Sequence, residues 1–267
     1  MPALIYGTAW KEARTADCVT AALRAGFRAI DTANQRKHYV EAAVGDAVAA
    51  SGLAREALWL QTKFTHRAGQ DERLPYDETA PVATQVEQSL ESSLAHLRTT
   101  YVDSLVLHGP SLRVGLAAED VEAWRAMEDL ARRGVAHQLG ASNVTAEQVR
   151  ALVAVASEPI AWVQNRCYAN RGWDAEVRAV CRAHGIAYQG FSLLTANRTV
   201  LVRPIVDAIM MRTGHSREQL VFAFARQQGI HALTGTTSDD HMRDDLASTA
   251  IELDATDLAV LEAVGRD

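Results

Sequence analysis

The sequence predicts an α/β protein with one domain, 1–267, folded as an eight-stranded (β/α)8 TIM barrel. Short apolar runs alternate with longer amphipathic runs along the whole chain, which is the pattern of parallel strands joined by crossover helices. Eight strand–helix pairs follow one another without a linker or a low-complexity segment. The chain has 267 residues, a length typical of a single barrel of this kind.

Each element of this barrel is predicted from its local pattern. Strands are assigned to short apolar runs between turn residues, at 4–7, 27–31, 58–63, 101–108, 136–142, 159–164, 186–191 and 230–233. Pro81 suits a first helical turn, and Asn143 or Thr145 can cap the helix that follows them. Several helices stop at a glycine, which readily adopts the positive φ of a helix end. Helices are assigned to 13–25, 38–50, 81–97, 118–133, 145–156, 174–184, 217–228, 238–246 and 255–264.

Composition excludes several classes of protein. Hydrophobic residues make up 48% of the chain and charged residues 22%, which is enough for a large core. The net charge is −6 with interleaved signs, so no nucleic-acid surface is expected. No apolar run approaches the roughly 20 residues that span a bilayer, and the N-terminus lacks the charged start of a signal peptide. We therefore expect a cytoplasmic protein.

The cysteines and histidines do not predict a metal site. Cys18, Cys167 and Cys181 are far apart and form no CxxC or CxxH pattern. The 9 histidines are scattered, without an HxH or HExxH pair. Reduced thiols and no bound metal ion are expected.

Two irregular features concern the mouth of the barrel. Residues 64–80 form a polar connection with Gly69 and Pro75, much longer than the usual loop between elements. It leaves the mouth side of the third strand, so either a lid that contacts substrate or a solvated surface excursion is possible. The first strand also begins at once and the chain ends soon after its last helix. We therefore expect neither an N-terminal hairpin nor a long C-terminal tail, and a comparatively open mouth.

Four residues suited to moving a proton follow or end predicted strands. Asp31, Lys63 and His108 lie at three strand ends, and Tyr39 follows the first of them. Taken singly, each of three residues also has a purely structural interpretation. Asp31 can cap the next loop, His108 can be a histidine of the core, and Tyr39 can pack at the start of a helix. A lysine between apolar residues, however, usually has a buried partner. Because the carboxyl ends of all barrel strands meet at one mouth, the four together predict a proton-donating site for carbonyl reduction.

Five segments resemble one enzyme family in their chain order. They read GTAWK at 7–11, GFRAIDTA at 26–33, YVDSLVLHGP at 101–110, GASNV at 140–144 and QGFSL at 189–193. Over nearly its full length, the chain resembles an aldo-keto reductase. The resemblance implies reduction of aldehydes or ketones to alcohols with a nicotinamide cofactor lying across the barrel mouth.

The resemblance also implies which residues hold that cofactor. Ser142, Asn143 and Gln164 match the side chains that bind the carboxamide, and Phe191 matches a ring that stacks on the nicotinamide. Segment 233–243 matches the part that binds the adenosine end. The full implied set is Gly7, Thr8, Ala9, Asp31, Ser142, Asn143, Gln164, Phe191, Ser192, Leu193, Leu233, Gly235, Thr236, Thr237 and His241.

The implied 2′-phosphate site lacks its usual charges. Gly235 and His241 stand where the family usually has a lysine and an arginine. Thr236, Thr237 and amides at the start of the following helix can still hold a phosphate, and Arg243 is a further candidate. We therefore expect NADPH to be favoured over NADH, with weakened discrimination.

The implied chemistry assigns one role to each of the four residues. Tyr39 is the general acid, and the Lys63 ammonium is expected to lower the pKa of its phenol. Asp31 keeps Lys63 charged and oriented. His108 donates a hydrogen bond that holds the carbonyl oxygen where negative charge develops.

The tyrosine departs from the commoner family pattern. Arg36 occupies its usual position, as if the loop were two residues longer, so Tyr39 is the expected acid and His38 the alternative. Candidate walls of the substrate pocket are Trp10, His108, Phe64 and Tyr76. The alternative function is a non-catalytic NADPH-binding sensor subunit. As partners we expect a small carbonyl substrate, no nucleic acid, no membrane and no second copy of the chain.

Overall fold

The computed structural model describes residues 2–266, in which eight parallel strands close into a barrel. Each strand pairs with the next along the chain, and the eighth pairs with the first through Tyr6 and Thr234. The predicted (β/α)8 barrel is therefore confirmed. The strands are β1 Leu4–Gly7, β2 Ala29–Asp31, β3 Trp59–Phe64, β4 Val102–Leu107, β5 Ala136–Ser142, β6 Ile160–Arg166, β7 Ala187–Phe191 and β8 Ile230–Thr234.

Helices connect successive strands and surround the barrel. Most begin and end within three residues of the predicted bounds. The helix predicted from residue 38 begins at Glu41 instead, so His38 and Tyr39 lie in the loop before it. The helices are α1 Thr15–Ala25, α2 Glu41–Ala50, α3 Val82–Leu97, α4 Ala118–Arg132, α5 Ala146–Val155, α6 Ala175–Ala183, α7 Arg198–Leu201, α8 Pro204–Thr213, α9 Arg217–Gln227, α10 Asp239–Ala247 and α11 Ala255–Ala263.

Two helices between β7 and β8 were not predicted from the sequence. In α8, Val206 and Ile209 are buried, whereas Ile205 and Met211 are 48% and 81% exposed. Apolar residues therefore lie on both the inner and outer faces, which obscures the one-sided stripe that identifies an amphipathic helix. No helix within residues 2–266 is long and apolar enough to cross a membrane.

Helices α2 and α3 approach each other closely at Gly45. A Cβ built at this position would lie 1.9 Å from the His96 carbonyl oxygen and 2.9 Å from Leu97 Cα. Backbone atoms cannot move aside as a flexible side chain can, so the two helices fit together only because residue 45 has no side chain. This contact fixes α2, and with it the loop that carries Tyr39.

We predict that Gly45→Ala lowers the free energy of unfolding by about 2–3 kcal/mol, because the added methyl group forces α2 away from α3. Chemical denaturation measures the change. Gly109→Ala is the matched control, since a Cβ there would meet no atom nearer than 3.5 Å. Equal stability of the two variants would contradict the tight contact.

Candidate active site

The carboxyl ends of the strands open onto a cavity of about 970 Å³. A space of this size suits a ligand larger than a small metabolite. Most of the residues that the sequence singled out lie on its wall. Those at or near strand ends are Gly7, Asp31, His108, Ser142, Gln164, Phe191, Leu233 and Thr234.

A buried ion pair joins Asp31 at the end of β2 to Lys63 in β3. Lys63 Nζ donates to Asp31 Oδ1 at 2.6 Å and to the Thr32 carbonyl oxygen at 2.8 Å. The Lys63 and Asp31 side chains are 1% and 4% exposed. Burial lowers the pKa of Lys63, while the charge of Asp31 and its hydrogen bond raise it. The carboxylate thus opposes the loss of charge that burial favours.

Two glutamines inside the barrel bind the Asp31 carboxylate, and a third, Gln189, bonds to both of them. Gln61 Nε2 and Gln164 Nε2 donate to Asp31 Oδ1 at 2.6 and 3.0 Å. The same two nitrogens donate to Gln189 Oε1 at 2.9 and 2.8 Å, and Gln189 Nε2 returns a bond to Gln61 Oε1 at 3.0 Å. Ser104 Oγ also donates to Gln61 Oε1. Asp31 Oδ1 is therefore held by donors from β3 and β6, which fixes the carboxylate at the wall of the cavity.

Tyr39 lies beside this ion pair, in the loop before α2. Its ring centre is 5.4 Å from Lys63 Nζ and 6.0 Å from the centre of the His108 ring. Its backbone N–H donates to the Gln35 carbonyl oxygen at 3.1 Å, which ties the loop into a turn. Among residues 2–266, Tyr39 is the one tyrosine on the cavity wall. The longer loop after Asp31 therefore places the phenol of Tyr39 beside Lys63 and His108.

The pKa of Tyr39 is raised, whereas the Lys63 ammonium alone was expected to lower it. Burial raises the pKa of Tyr39, and the negative charge of Asp31 raises it further. Lys63 is itself in contact with Asp31, so the field of the ion pair at the phenol is that of two opposite charges 2.6 Å apart rather than of a free ammonium. The phenol is consequently held in its protonated form.

His108 follows β4 directly and is held by three hydrogen bonds. Its backbone N–H donates to the Phe64 carbonyl oxygen at 2.8 Å, and its carbonyl oxygen accepts from Asn143 Nδ2 at 2.8 Å. Its ring Nδ1 lies 2.7 Å from Thr65 Oγ1. Burial, together with the charge of Lys63, lowers the pKa of His108 to about 3. The imidazole is therefore neutral at neutral pH.

His38, the alternative acid, packs under Trp10 at the rim of the cavity. The two ring centres are 3.6 Å apart at an interplanar angle of 33°, and Trp10 is 69% exposed. Trp10 has a φ of 61° and its N–H donates to the His38 carbonyl oxygen at 2.8 Å. Burial lowers the pKa of His38. Both side chains line the cavity, and Trp10 is the exposed wall of its mouth.

The residues expected to bind a carboxamide lie together at the ends of β5 and β6. Ser142 Oγ donates to the Gln164 carbonyl oxygen at 2.6 Å and accepts from Asn143 Nδ2 at 3.2 Å. Asn143 has a φ of 56°, a left-handed conformation that side chains adopt rarely and often at functional sites. The amide nitrogens of Gln164 and Asn143 are thus engaged within the protein, while both side chains face the cavity.

Further along the cavity, Phe191, Ser192 and Leu193 line the wall after β7. Ser192 has a φ of 59°, so a second left-handed residue shapes this wall. The Arg166 guanidinium lies over the Phe191 ring, 5.6 Å from its centre, and also lines the cavity. This position fixes the ring plane of Phe191, the property that stacking on a ligand requires.

The far end of the cavity is lined by Leu233, Gly235, Thr236, Thr237 and His241, as expected for an adenosine end. Arg243, also considered for this end, pairs with Asp240 on the surface and is not on the wall. Two carboxylates that the sequence analysis did not assign, Glu218 and Asp245, do line it. Burial raises the pKa of Asp245 to about 6, and Glu218 contributes to that rise.

Lys11 is a further cation that the sequence analysis did not assign. Its Nζ donates to the Gly235 carbonyl oxygen at 2.6 Å, and its side chain packs against the Tyr6 ring at 5.3 Å from the centre. Burial lowers the pKa of Lys11. Its place in the GTAWK segment, directly after the first strand, was the available signal.

Three assignments from the sequence are corrected. Thr8 is buried, donates from Oγ1 to the Asp31 carbonyl oxygen at 3.0 Å and does not line the cavity. Phe64 and Tyr76 are 1% and 8% exposed and pack against each other with ring centres 5.7 Å apart, so they are not pocket walls. No residue of segment 64–80, which the structure describes in full, lines the cavity. A lid that contacts substrate is therefore not observed.

These residues fit a nicotinamide dinucleotide. One continuous cavity joins the side chains suited to a carboxamide, the Phe191 ring and the threonine-rich turn 235–237. The amide groups of Asn143 and Gln164 are held in place by hydrogen bonds. Within the described residues, no group of histidine, cysteine and acidic side chains could hold a metal ion.

Comparison with known sequences identifies the family. The Aldo/keto reductase family matches residues 4–266. Methylglyoxal reductase DkgB of Escherichia coli O157:H7 is 30% identical over 255 residues, which cover 92% of this chain and 86% of that protein. D-galacturonate reductase of Fragaria ananassa is 28% identical over 250 residues, covering 84% of this chain and 73% of that protein.

Solved structures share the fold. An aldo/keto reductase from Brucella melitensis superposes with a TM-score of 0.86 at 23% identity, covering 99% of this chain and 95% of that one. The aldo-keto reductase AKR2E5 of the silkworm Bombyx mori, solved in complex with NADPH, superposes with a TM-score of 0.84 at 24% identity, covering 99% and 84%. From the match over nearly its whole length, the chain belongs to the aldo/keto reductase family.

Proposed function

We propose that this protein is an NAD(P)H-dependent reductase that converts aldehydes or ketones to alcohols, with Tyr39 as the general acid. The observation that carries the proposal is the arrangement of Tyr39 beside the Asp31–Lys63 pair and His108. All except Lys63 line the same cavity, and Lys63 lies directly behind its wall. Such a set donates a proton and a hydrogen bond to one oxygen atom, which is what carbonyl reduction requires.

When bound, a reduced nicotinamide would supply the hydride for the carbonyl carbon. Ser142, Asn143 and Gln164 are the residues that would hold its carboxamide, and Phe191 would pack against its ring. Neutral His108 donates a hydrogen bond to the carbonyl oxygen, and Tyr39 gives that oxygen a proton as negative charge develops. The fixed His108 backbone makes this donor preorganised, so it need not be reordered during the reaction.

The raised pKa of Tyr39 is compatible with this role. The proton acceptor is an oxygen that becomes an alkoxide, and an alkoxide is a much stronger base than a phenolate. The acid therefore needs only to be stronger than the alcohol product, and it must remain protonated until charge develops. Burial and Asp31 hold Tyr39 protonated. Lys63 then stabilises the phenolate that forms beside it.

The relatives indicate which substrates to try first. Two related proteins are named for reduction of methylglyoxal and D-galacturonate, both of which carry an aldehyde or ketone group. We propose small aldehydes as the substrate class to assay first, beginning with methylglyoxal and NADPH. The protein would act in the cytoplasm, and its three buried free cysteines support such a reducing compartment. It would act as a single chain.

We predict that Tyr39→Phe lowers kcat by about 10²–10⁴-fold, because the proton donor is lost. The dissociation constant of NADPH, measured by fluorescence titration, should be unchanged, since the ring and its packing persist. Wild-type turnover in this variant would remove Tyr39 from the mechanism.

Two further variants complete that experiment. Tyr101→Phe is the matched control, because Tyr101 stacks on His137 away from the cavity and should keep full activity. His38→Gln tests the other acid: loss of turnover there with normal turnover in Tyr39→Phe would assign proton donation to His38. Cofactor binding by the wild type without turnover of any aldehyde would support a sensor subunit instead.

We further propose that NADPH is favoured over NADH, but only weakly. NADPH is the cofactor found in AKR2E5, which supports its use here. At the adenosine end, however, the carboxyl groups of Glu218 and Asp245 line the cavity, and His241 stands where the family usually has an arginine. Acidic groups near a 2′-phosphate repel it, so the gain from Thr236, Thr237 and backbone amides is partly offset.

We predict that His241→Arg tightens NADPH binding by about 10-fold and leaves NADH binding unchanged, because a charge-assisted hydrogen bond to a phosphate is worth roughly 1.5 kcal/mol. Dissociation constants for both cofactors measure the effect. Thr249→Arg, which adds the same charge at an exposed residue outside the cavity, is the control. Tighter binding of NADH than NADPH by the wild type would contradict the preference.

A further inference from the structure

The hydrogen bond between Thr65 and His108 lies where it can determine which ring nitrogen of His108 carries the proton. Thr65 Oγ1 is 2.7 Å from His108 Nδ1, and Thr65 is 5% exposed. Because His108 is neutral, one of its ring nitrogens is a donor and the other an acceptor. Only the form with its proton on Nε2 leaves a donor on the side of the ring opposite Thr65.

The hydroxyl of Thr65 favours that form. Among residues 2–266, Thr65 Oγ1 has one hydrogen-bond partner, His108 Nδ1. If Nδ1–H donated to Oγ1, the hydroxyl proton would have to be buried without an acceptor. An unmade hydrogen bond of a buried donor is costly, whereas an unused lone pair on a hydroxyl oxygen costs much less. The satisfied arrangement is Thr65 O–H donating to Nδ1, with the proton of His108 on Nε2.

We propose that Thr65 is a positioning residue that holds His108 in the Nε2–H form, so that the ring donates to the substrate carbonyl oxygen. The proposal rests on the reductase function assigned above, in which His108 contacts that oxygen. In the other form, a bare Nε2 lone pair would face the oxygen and repel its developing charge. A neutral histidine without a partner at Nδ1 would populate both forms.

Other residues of segment 64–80 hold Thr65 in place and so support its bond to His108. Tyr76 Oη donates to the Thr65 carbonyl oxygen at 2.8 Å, and Gln70 Nε2 donates to the same oxygen at 3.5 Å and to the Asn34 carbonyl oxygen at 2.9 Å. Gln35 Nε2 in turn donates to the Gly69 carbonyl oxygen at 2.7 Å. The segment is thus bound to the loop that precedes Tyr39, and it braces Thr65 from outside the cavity.

The test compares Thr65→Val, which keeps the shape and removes the hydroxyl, with Thr65→Ser, which keeps the hydroxyl. We expect Thr65→Val to lower kcat for methylglyoxal by about 10-fold, because the ring loses part of its Nε2–H population and also the hydrogen bond that orients it. Thr65→Ser should stay within about 3-fold of the wild type, and NADPH dissociation constants should not change. Thr213→Val, which removes a hydroxyl bonded to the Ile209 carbonyl oxygen outside the cavity, is the matched control.

Nitrogen-15 NMR of the histidine rings reads the protonated nitrogen directly, without turnover. The His108 signal is assigned as the one absent from His108→Gln. We expect a proton on Nε2 in the wild type and in Thr65→Ser, and a mixture of both forms in Thr65→Val. A wild-type proton on Nδ1 would overturn the proposal even if Thr65→Val fails to fold.

Kinetics distinguish a failure of the proposed reductase function from a failure of the role of Thr65 alone. If the wild type reduces no carbonyl compound, the proposed function fails, whatever the NMR result. If the wild type is active and Thr65→Val matches it in kcat and in the protonated nitrogen, only the role of Thr65 fails. Equal losses in Thr65→Val and Thr65→Ser would also overturn the role, since the hydroxyl would then not be the group that matters.

Discussion

The need to neutralise a buried ammonium organises the centre of this barrel. Lys63 is almost fully enclosed, and a charge in such a place is tolerated only with a counter-charge and hydrogen bonds. Asp31 provides the charge, and Gln61 and Gln164 hold the carboxylate in position. Removing one partner of a buried pair typically costs about 3–5 kcal/mol. The fold therefore depends on the same pair that places a cation beside Tyr39.

The Asp31–Lys63 pair also connects the residues that would bind the cofactor with the residues that would donate the proton. Gln164 lines the cavity where a carboxamide would bind, and its Nε2 donates to Asp31 Oδ1. The carboxylate is therefore in contact with a cofactor-facing residue on one side and with Lys63 on the other. Tyr39 and His108 complete the wall above. A side chain that moved in this network would disturb both ligand binding and proton donation, which is why the supporting amides come from rigid strands rather than loops.

The sequence predicted most of this arrangement, because buried parallel strands read as short apolar runs and their polar ends meet at one mouth. Asp31, Lys63 and His108 were found in this way. The contact of Thr65 with His108 was not, since it joins residues 43 apart through a loop whose path no local pattern encodes. Residues 198–213 were missed because apolar side chains lie on both helix faces. The sign of the Tyr39 pKa shift depends on burial and distances, which the order of residues does not give.

The central claim is that the protonated phenol of Tyr39 lies beside the Asp31–Lys63 pair and faces the substrate carbonyl group together with His108. The most direct measurement is a crystal structure of the protein with oxidised nicotinamide cofactor and an unreactive carbonyl compound. The account predicts that the carbonyl oxygen lies within hydrogen-bond distance of both Tyr39 Oη and His108 Nε2. A complex in which that oxygen contacts His38 while Tyr39 points away would contradict it.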